Sequence, residues 1–273
     1  MKKSTIKTNF SKFVKVKIRS FEDYNDDFFN MQYLVNDAYI VRGPSLNLKD
    51  PLVSYHNEQD FLNLTTDLDI TEKILFSSPN NGFKISRYIK TSKVFYQIND
   101  ITILEFIRLL KKIQKIEITT IPEFNFREVL NKYKSKCNES DYLDSEIEDK
   151  IISTVESDKL PKVLSQSFVE KNTVKILENK VKIIDFRFIS MNSPFFDIAY
   201  FSNSFNLNEK QNKFLITKYF GYKLRTKYFK LFDHYKKYIN ILRYYRNCYY
   251  YTISGEVIYL DNKNELKNKI INI

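Results

Sequence analysis

Asp185 is the residue of this chain whose type and place most suggest chemistry, because it interrupts the strand-like run of residues 181–186. If Glu178 and Asn179 form a two-residue turn, the numbers of paired residues sum to 357, and Asn172 lies opposite Asp185. Amide and carboxylate oxygens suit Mg²⁺, which typically completes its shell with water and phosphate. The spacing therefore indicates a candidate magnesium site. The alternative is that Asp185 caps a turn or accepts nearby N–H groups.

The hairpin over residues 173–186, which would present these two side chains, has alternating polarity. Its first face, which also carries Asn172 and Asp185, is apolar, and the opposite face is mostly lysine. The apolar residues are Val174, Ile176, Val181 and Ile183, and the polar ones are Thr173, Lys175, Lys180 and Lys182. This alternation supports the register, because cross-strand neighbours share a face, although it places Lys175 opposite Lys182.

The N-terminal third of the chain is rich in strand-forming residues. Strand-like runs occupy residues 14–42, beginning with VKVKIRSF and divided by the turn-prone pair Asn36-Asp37. A second pair of runs covers residues 74–89, with a strong turn signal at residues 79–82. Both pairs predict antiparallel hairpins.

The remainder of the chain is mostly helical in pattern. Residues 100–116 place five apolar side chains on one helical face, with Asp100 as the N-cap. Further helical patterns cover residues 121–160, 208–221 and 229–251. The order predicts an α+β fold of two lobes: a small, antiparallel, β-rich N-lobe over residues 1–93, and a larger helical C-lobe over residues 94–273 that contains the hairpin.

Composition and charge describe a folded protein with a basic balance. Apolar residues make up 43% of the 273 residues, and 44 Lys and Arg against 33 Asp and Glu give a net charge of +11. This charge would suit an anionic partner such as nucleic acid or nucleotide. It equally fits a chain biased toward Lys, Asn, Ile, Tyr and Phe, in which lysine is the common surface residue. The basic residues are scattered and form no dense block, which favours the second interpretation.

Three features favour a cytoplasmic location. Cys137 and Cys248 form no disulfide framework, which suggests a reducing compartment. The N-terminal residues are basic and lack the apolar stretch of a signal peptide. No segment approaches the roughly 20 apolar residues that span a bilayer.

The stretch IIDFRFISMNSPFFDIAYF, residues 183–201, resembles the bacterial choline kinase family, whose corresponding stretch runs I-D-W/F-E-Y, then M-N-D-P, then D-L-A. Upstream, residues 30–44 and 80–89 are similar to the family's earlier strand elements in the same order. The resemblance spans residues 14–221. It implies the two-lobed, protein-kinase-like fold of the aminoglycoside phosphotransferase and choline kinase superfamily. The reaction it implies is ATP- and Mg²⁺-dependent phosphorylation of choline, ethanolamine or a similar small amino alcohol.

The resemblance also implies roles for particular residues. Arg42 would hold ATP phosphates, and Glu58 would pair with it from a helix. Asn172 and Asp185 would bind Mg²⁺ that bridges the phosphates. Asp197 would be a buried structural residue that braces the catalytic segment. Such a site suits phosphoryl transfer, which depends on positioning and neutralisation of charge more than on covalent chemistry.

The same alignment departs from the family at the catalytic motif. The family has H-x-D five residues before its Asn, and its Asp is the catalytic base; here Ser165 and Ser167 stand at the His and Asp positions. Loss of a general base costs about 10²–10⁴ in rate. Residues 25–30, at the phosphate-facing loop, contain no glycine and two aspartates. Arg187 stands where choline kinases have an acidic residue in the substrate pocket, and there a positive group would oppose a cationic substrate.

The C-terminal aromatic residues are open to two interpretations, because the family's late Trp residues have no counterpart in this chain. The aromatics could replace the choline cage through cation–π contacts, or they could belong to an ordinary core helix. The spacing favours the core helix. The stripe consists of Phe232, Tyr235, Ile239, Leu242, Tyr245 and Tyr249.

Three functions are compatible with the sequence. The first is a choline-kinase-like protein whose phosphotransfer is lost or severely weakened, as in a pseudokinase, and which still binds nucleotide or serves as an interaction module. The second is an active small-molecule phosphotransferase with a changed, anionic acceptor that Arg187 would bind. The third is a basic protein that binds nucleic acid or another anion.

Overall fold

The computed structural model describes residues 2–27, 30–44, 50–90, 98–177, 180–221 and 226–271. The chain divides into two compact units. Unit 1 consists of Met1–Gln97, Arg108–Ile121 and Asn172–Ile189, and unit 2 consists of Ile98–Ile107, Pro122–Lys171 and Ser190–Ile273. The predicted lobe boundary at residue 93 lies outside the described residues.

Strands dominate the first part of the chain and helices the last. The strands are β1 (Phe21–Asp27), β2 (Asn30–Val35), β3 (Tyr39–Pro44), β4 (Ile74–Ser77), β5 (Lys84–Arg87), β6 (Val163–Ser165), β7 (Val174–Leu177), β8 (Lys180–Ile183) and β9 (Ser190–Asn192). The helices are α1 (Lys3–Phe13), α2 (Tyr55–Thr65), α3 (Asp100–Ile113), α4 (Phe126–Lys134), α5 (Ser145–Glu156), α6 (Pro194–Phe205), α7 (Glu209–Phe220), α8 (Thr226–Ser254) and α9 (Val257–Ile271). An α+β fold with an antiparallel N-terminal sheet is therefore confirmed.

The sheet of unit 1 has the order β1-β2-β3-β5-β4, and its neighbouring strands are antiparallel. Asn36 and Asp37 lie in the three-residue loop that joins Val35 to Tyr39, and both have φ of 52°, a left-handed conformation typical of tight hairpin turns. The predicted turn between β2 and β3 is confirmed, and so is the predicted pair of strands β4 and β5.

The segment before the sheet differs from the prediction. Residues 14–20 contain no strand, and the amides of Arg19 and Ser20 donate to Oδ1 of Asn36 at 2.7 and 3.1 Å instead of to a neighbouring strand. The first helix, α1, packs on the sheet, and this tertiary contact overrides the local strand preference. The buried side chains that form this core include Ile6, Phe10, Val35, Val41 and Ile85.

The hairpin of unit 1 has the predicted register. Val174 pairs with Ile183, and Lys175 pairs with Lys182, so each pair sums to 357. Nζ of Lys182 lies 2.7 Å from Oδ1 of Asp69, which offsets the repulsion between the two lysines. The predicted turn at residues 178–179 lies outside the described residues.

Helices α3 and α7 lie where the sequence predicts them, with one correction. Oδ1 of Asn99 accepts the amide of Thr102 at 2.9 Å, so Asn99 caps α3, and Asp100 is its first residue. Asn208 caps α7 in a capping box with Gln211, and Gly221 ends the helix.

The aromatic stripe of α8 belongs to the core of unit 2. All six predicted stripe residues, Phe232, Tyr235, Ile239, Leu242, Tyr245 and Tyr249, are at most 9% exposed. The core-helix interpretation is therefore confirmed. Within the described residues, no helix combines the length and the apolar character that crossing a membrane requires.

Candidate functional site

Four charged side chains of unit 1 are joined by buried ion pairs. Arg42 of β3 lies directly opposite Lys84 of β5, so the sheet places two cations side by side. Glu58 of α2 bonds to both: its two oxygens accept from the Arg42 guanidinium, and its Oε1 lies 3.2 Å from Nζ of Lys84. Glu72 accepts a second bond from Nζ of Lys84 at 2.9 Å. The predicted Arg42–Glu58 pair is present, and all four residues are at most 6% exposed.

Asp185 continues this series of ion pairs. Its Oδ1 accepts from Nε of Arg187 at 2.6 Å, and its Oδ2 accepts from Nη2 at 2.5 Å. Nη1 of Arg42 lies 3.6 Å from Oδ1 of Asp185. The planar guanidinium of Arg187 thus engages both carboxylate oxygens, the arrangement that gives the strongest charge-assisted hydrogen bonds. Asp185 itself has φ of 68°, a left-handed conformation that Asp tolerates better than most residues.

We call these six side chains (Glu72, Lys84, Glu58, Arg42, Asp185 and Arg187) the ion-pair chain. Three are acidic and three are basic, so the ion-pair chain carries no net charge. Burial acts to raise the pKa of Asp185, but Arg187 and then Arg42 outweigh it and hold that pKa well below its ordinary value. Burial likewise acts to raise the pKa of Glu58, and Arg42 and Lys84 lower it. Asp185 and Glu58 stay ionised because their cationic partners are in place.

The N-terminus of α2 positions two members of the ion-pair chain. Oγ of Ser54 caps the helix by accepting the amide of Asn57 at 3.2 Å, which orients the turn that carries Glu58. The amide of Ser54 donates to the backbone oxygen of Arg187 at 2.8 Å. The same helix start therefore fixes the backbone of Arg187 and the base of Glu58.

A cavity of about 50 Å³ adjoins the ion-pair chain within unit 1. Its charged lining includes Arg42, Lys84, Asp185 and Lys175, and burial lowers the pKa of the Lys175 ammonium. Its apolar and aromatic lining includes Tyr24, Ile40, Tyr88, Ile89 and Ile184. Cationic groups beside an apolar wall suit an anionic ligand with a flat apolar part. The enclosed volume is room for a few water molecules.

The predicted magnesium ligands do not form a site that fits Mg²⁺. The metal demands near-octahedral oxygen ligands at about 2.0–2.1 Å with free lone pairs. Both oxygens of Asp185 are directed at Arg187, and Asn172 is exposed in the turn before β7. Over the described ranges, no group of three or more His, Cys, Asp or Glu side chains is placed to hold a metal ion.

In unit 2, Asp197 holds the segment that contains Ser165 and Ser167. Oγ of Ser165 donates to Oδ1 of Asp197 at 2.7 Å, and the amides of Gln166 and Ser167 donate to its two oxygens at 3.0 Å each. Asp197 lies in the first turn of α6 and is 2% exposed. Its three donors fix the backbone of the segment, including the left-handed φ of 71° at Ser167.

The hydroxyl of Ser167 is enclosed within unit 2. Strands β6 and β9 pair Ser165 with Ser190, and Oγ of Ser190 lies 2.6 Å from Oγ of Ser167. Oγ of Ser165 lies 3.2 Å from the same hydroxyl, and Ser167 is 0% exposed. Ser167, which the resemblance predicts at the family's base position, is thus a hydroxyl that lies within hydrogen-bond distance of two other hydroxyls.

Among the described residues, the hydrogen-bond donors to Asp197 are all neutral, and this affects the pKa of its carboxyl group. Burial raises the pKa of Asp197 to about 6, and the hydrogen bonds from Ser165, Ser167 and Gln166 reduce the increase without reversing it. No cation is needed to account for its geometry. Asp197 is therefore suited to holding backbone in place.

The sequence reasoning missed Lys84, Glu72 and Ser190. Lys84 lies in the strand-like run KISR that the resemblance covered, but its opposition to Arg42 depends on the pairing of β3 with β5, which are not consecutive strands. Glu72 and Ser190 lie in segments without a recognisable motif, so the sequence does not indicate their partners. A signal was available only for Lys84: a lysine among Phe83 and Ile85 in a strand is unusual unless it is paired.

The sheet, the hairpin and the helical region together define a kinase-like fold. It is the fold of choline/ethanolamine kinase family proteins and aminoglycoside phosphotransferases, as the resemblance predicted.

Three solved structures show this similarity over nearly the whole chain. A choline/ethanolamine kinase family protein from Mesorhizobium loti superposes with a TM-score of 0.75 at 14% identity, covering 97% of this chain and 93% of that protein. Choline kinase LicA from Streptococcus pneumoniae gives 0.75 at 16% identity and 99% of both chains. The GDP complex of wild-type aminoglycoside 2'-phosphotransferase-IIIa gives 0.74 at 13% identity, covering 99% of this chain and 98% of the enzyme. A further LicA structure is a complex with AMP.

No protein-family model matches the chain, and no curated protein matches it in sequence. At identities of 13–16%, the similarity establishes the fold. What the chain does chemically depends on its own site residues.

Proposed function

We propose that this chain is a choline-kinase-like protein whose phosphotransfer is lost or severely weakened. The observation that supports this most directly is the state of Ser167. At the position where the family resemblance places the catalytic base, the chain has a fully buried hydroxyl that contacts Ser165 and Ser190. A hydroxyl of this kind cannot accept a proton from an acceptor alcohol at neutral pH.

Asp197 does not replace the missing base. It is the carboxylate that contacts the Ser165–Ser167 segment, and its oxygens accept three hydrogen bonds from that segment. A base must lie within hydrogen-bond reach of the proton that it abstracts. At 2% exposure, Asp197 offers no such access.

Nucleotide binding is part of the proposal and rests on the fold. LicA has been crystallised with AMP, and the aminoglycoside phosphotransferase with GDP. In this chain, the guanidinium of Arg42 donates to Glu58 and to the backbone oxygen of Gly82 at 2.9 Å. We therefore expect ATP to bind weakly, because its phosphates must compete with these partners for Arg42.

The alternative of an active enzyme with an anionic acceptor requires Arg187 to face that acceptor. Arg187 is 4% exposed and forms a bidentate pair with Asp185, so it must leave this pair before it can bind substrate. The nucleic-acid alternative rests on the net charge of +11 alone. A steep decrease of affinity with salt would be its signature.

Turnover measurements test the proposal directly. With Mg²⁺ and ATP, wild-type protein should phosphorylate choline and ethanolamine at least about 10²-fold more slowly than the 1–100 s⁻¹ that is typical of kinases. A rate within the typical range would refute the proposal.

A gain-of-function variant tests the alignment behind the proposal. Ser167→Asp combined with Arg187→Glu restores the two family residues, and we expect choline-dependent ATP hydrolysis to increase if the rest of the site survives. Ser153→Asp, at an exposed position of α5, is the matched control for adding an aspartate. Thermal unfolding of each variant shows whether a carboxylate is tolerated at this buried position, and Ser167→Ala should fold in any case.

A further inference from the structure

We propose that the guanidinium of Arg187 takes the place of a divalent cation at Asp185, so that this site binds no metal. The proposal concerns unit 1 alone. It deepens the proposed function, because it says which charge neutralises the retained aspartate, but its metal-binding test needs neither nucleotide nor turnover.

The first support for this proposal is the geometry of the Asp185 carboxylate. Its two oxygens accept from two different nitrogens of Arg187, at 2.6 and 2.5 Å. In addition, Nη1 of Arg42 lies 3.6 Å from Oδ1 of Asp185. A metal ion at either oxygen would compete with a short, charge-assisted hydrogen bond for the carboxylate and would then lie beside two guanidinium groups. Asp185 therefore has its positive partner within the protein.

The charge balance of the ion-pair chain carries the second step. Its acidic and basic members alternate from Glu72 through Lys84, Glu58, Arg42 and Asp185 to Arg187. Without Arg187, three acids would face two cations, and a cation from solution could restore neutrality. With Arg187 the balance is complete, and an added Mg²⁺ would leave two uncompensated positive charges in a buried region.

The way in which Arg187 is held carries the third step. Its side chain is 5% exposed, so it is not a surface side chain that swings freely into water. Its backbone oxygen accepts the amide of Ser54, the residue that caps α2. Phe186, which precedes it, packs against Phe61 of the same helix, with ring centroids 4.1 Å apart and the ring planes tilted by 31°. The backbone that carries Arg187 is thus anchored to α2, and the pairing of Arg187 with Asp185 is part of the fold.

Binding of Mn²⁺, followed by its paramagnetic resonance signal, tests the proposal in the full-length protein without nucleotide. Wild-type protein should leave the signal of free Mn²⁺ unchanged. Arg187→Gln keeps a long polar side chain but removes the charge, and we expect it to bind one Mn²⁺ at least 10-fold more tightly than wild type. Adding Asp185→Asn to that variant should abolish the gain. A wild-type Mn²⁺ site that Asp185→Asn removes would overturn the proposal, as would an Arg187→Gln variant with no gain.

Two further variants refine the test. One asks whether the charge of residue 187, and not its shape, excludes Mn²⁺. The other asks whether removing the arginine partner of any acid creates a Mn²⁺ site. Arg187→Lys keeps the positive charge and should remain free of Mn²⁺; binding by this variant would contradict exclusion by charge. Arg246→Gln is the matched control, because Nη1 of Arg246 lies 2.8 Å from Oε1 of Glu170 in unit 2, and it should gain no Mn²⁺. If Arg187→Gln does not fold, the wild-type and Arg187→Lys measurements still decide the matter.

Adding ADP separates this proposal from the proposed function. The wild-type affinity for ADP should differ by less than twofold between excess Mg²⁺ and EDTA, whereas Arg187→Gln should bind ADP more tightly with Mg²⁺. A wild-type affinity that rises 10-fold or more with Mg²⁺ would overturn the metal-free site. Failure of every variant to bind ADP would remove nucleotide binding from the proposed function and leave the Mn²⁺ result unaffected.

Discussion

Two aspartates of this protein, Asp185 in unit 1 and Asp197 in unit 2, are satisfied in opposite ways. Asp185 is paired with two guanidinium groups, and its pKa is held well below the ordinary value. Asp197 receives one hydroxyl and two amides, and its pKa is raised to about 6. Burial opposes ionisation at both sites, so the charge of the partner decides the direction of the shift.

The comparison shows two ways in which a kinase-like fold can satisfy acidic residues that are withdrawn from water. In unit 1, the positive partners of Asp185 are arginine side chains of the same chain. In unit 2, Asp197 holds the segment that contains Ser167 through neutral donors. The five predictions that follow test these two arrangements and compare them with a surface ion pair, from the largest expected effect to the smallest.

Arg42→Ala should cause the largest loss of stability, because it leaves the buried Glu58 and the partly buried Asp185 with one cation fewer. Removing one partner of a buried ion pair typically costs about 3–5 kcal/mol in the free energy of unfolding. Urea unfolding would measure the loss. Arg127→Ala is the control, since Arg127 pairs with Asp149 on the exposed surface and should cost less than about 1 kcal/mol. Equal losses would show that the ion-pair chain contributes no more than a surface pair.

The stability of the wild type should depend on pH through Asp197. Its folded pKa of about 6 exceeds the unfolded value of about 3.9, so the folded protein binds the proton more readily between these values. The contribution of Asp197 therefore grows as pH falls through 6 and is lost as pH rises. The stability of wild type relative to Asp197→Asn should increase by about 2–3 kcal/mol between pH 7 and pH 4.

Asp185→Asn is the variant that sharpens this pH comparison. Because the folded pKa of Asp185 is lowered, its difference from wild type should stay constant between pH 7 and pH 5. Urea titrations at each pH measure both differences. The same slope for both variants would show that the charge of the partner does not govern the two sites.

Ser165→Ala should cost about 2 kcal/mol at pH 7, because it removes a hydroxyl donor to a buried carboxylate and an acceptor for the amide of Ser167. The free energy of unfolding of Ser153→Ala, at an exposed position of α5, provides the control and should change by less than about 0.5 kcal/mol. A neutral Ser165→Ala would mean that Asp197 does not need this donor.

Lys182→Ala should have the smallest effect, within about 0.5 kcal/mol. The substitution removes a pair with the exposed Asp69 but also relieves the repulsion with Lys175 across the hairpin. A double-mutant cycle with Asp69→Ala measures the pair alone. A coupling energy above about 1 kcal/mol would show that this surface ion pair stabilises the fold more than exposed pairs typically do.

Much of the fold could be predicted from the sequence because its signals are local. The alternation of Val174, Lys175 and Ile176 fixed the hairpin register, since a slip of one residue would expose the apolar face. Asn36 and Asp37 marked a turn that demands left-handed backbone. The prediction of a strand from Val14 was wrong, because α1, which the sequence reasoning did not foresee, packs on the sheet and leaves residues 14–20 without a partner strand.

The candidate site was only partly predictable. The Arg42–Glu58 pair followed from the family resemblance, and Asp197 was foreseen as a buried structural residue, a role that remains a prediction. Lys84 and Glu72 were missed because their positions depend on the pairing of distant strands. Arg187 was predicted to line a substrate pocket, and this stays a prediction; the structure adds that its guanidinium is paired with Asp185, two residues away.

The sequence by itself determined the hairpin, the main helices and the order of motifs that indicates a kinase-like fold, because each of these depends on neighbours within a few residues. Only the tertiary structure decided what the retained acids do. Asp185 is paired with Arg42 and Arg187 because the fold brings together α2, β3, β5 and the segment after β8. The meaning of a buried charge is set by its partners in space, and these lie in segments that local sequence patterns do not connect.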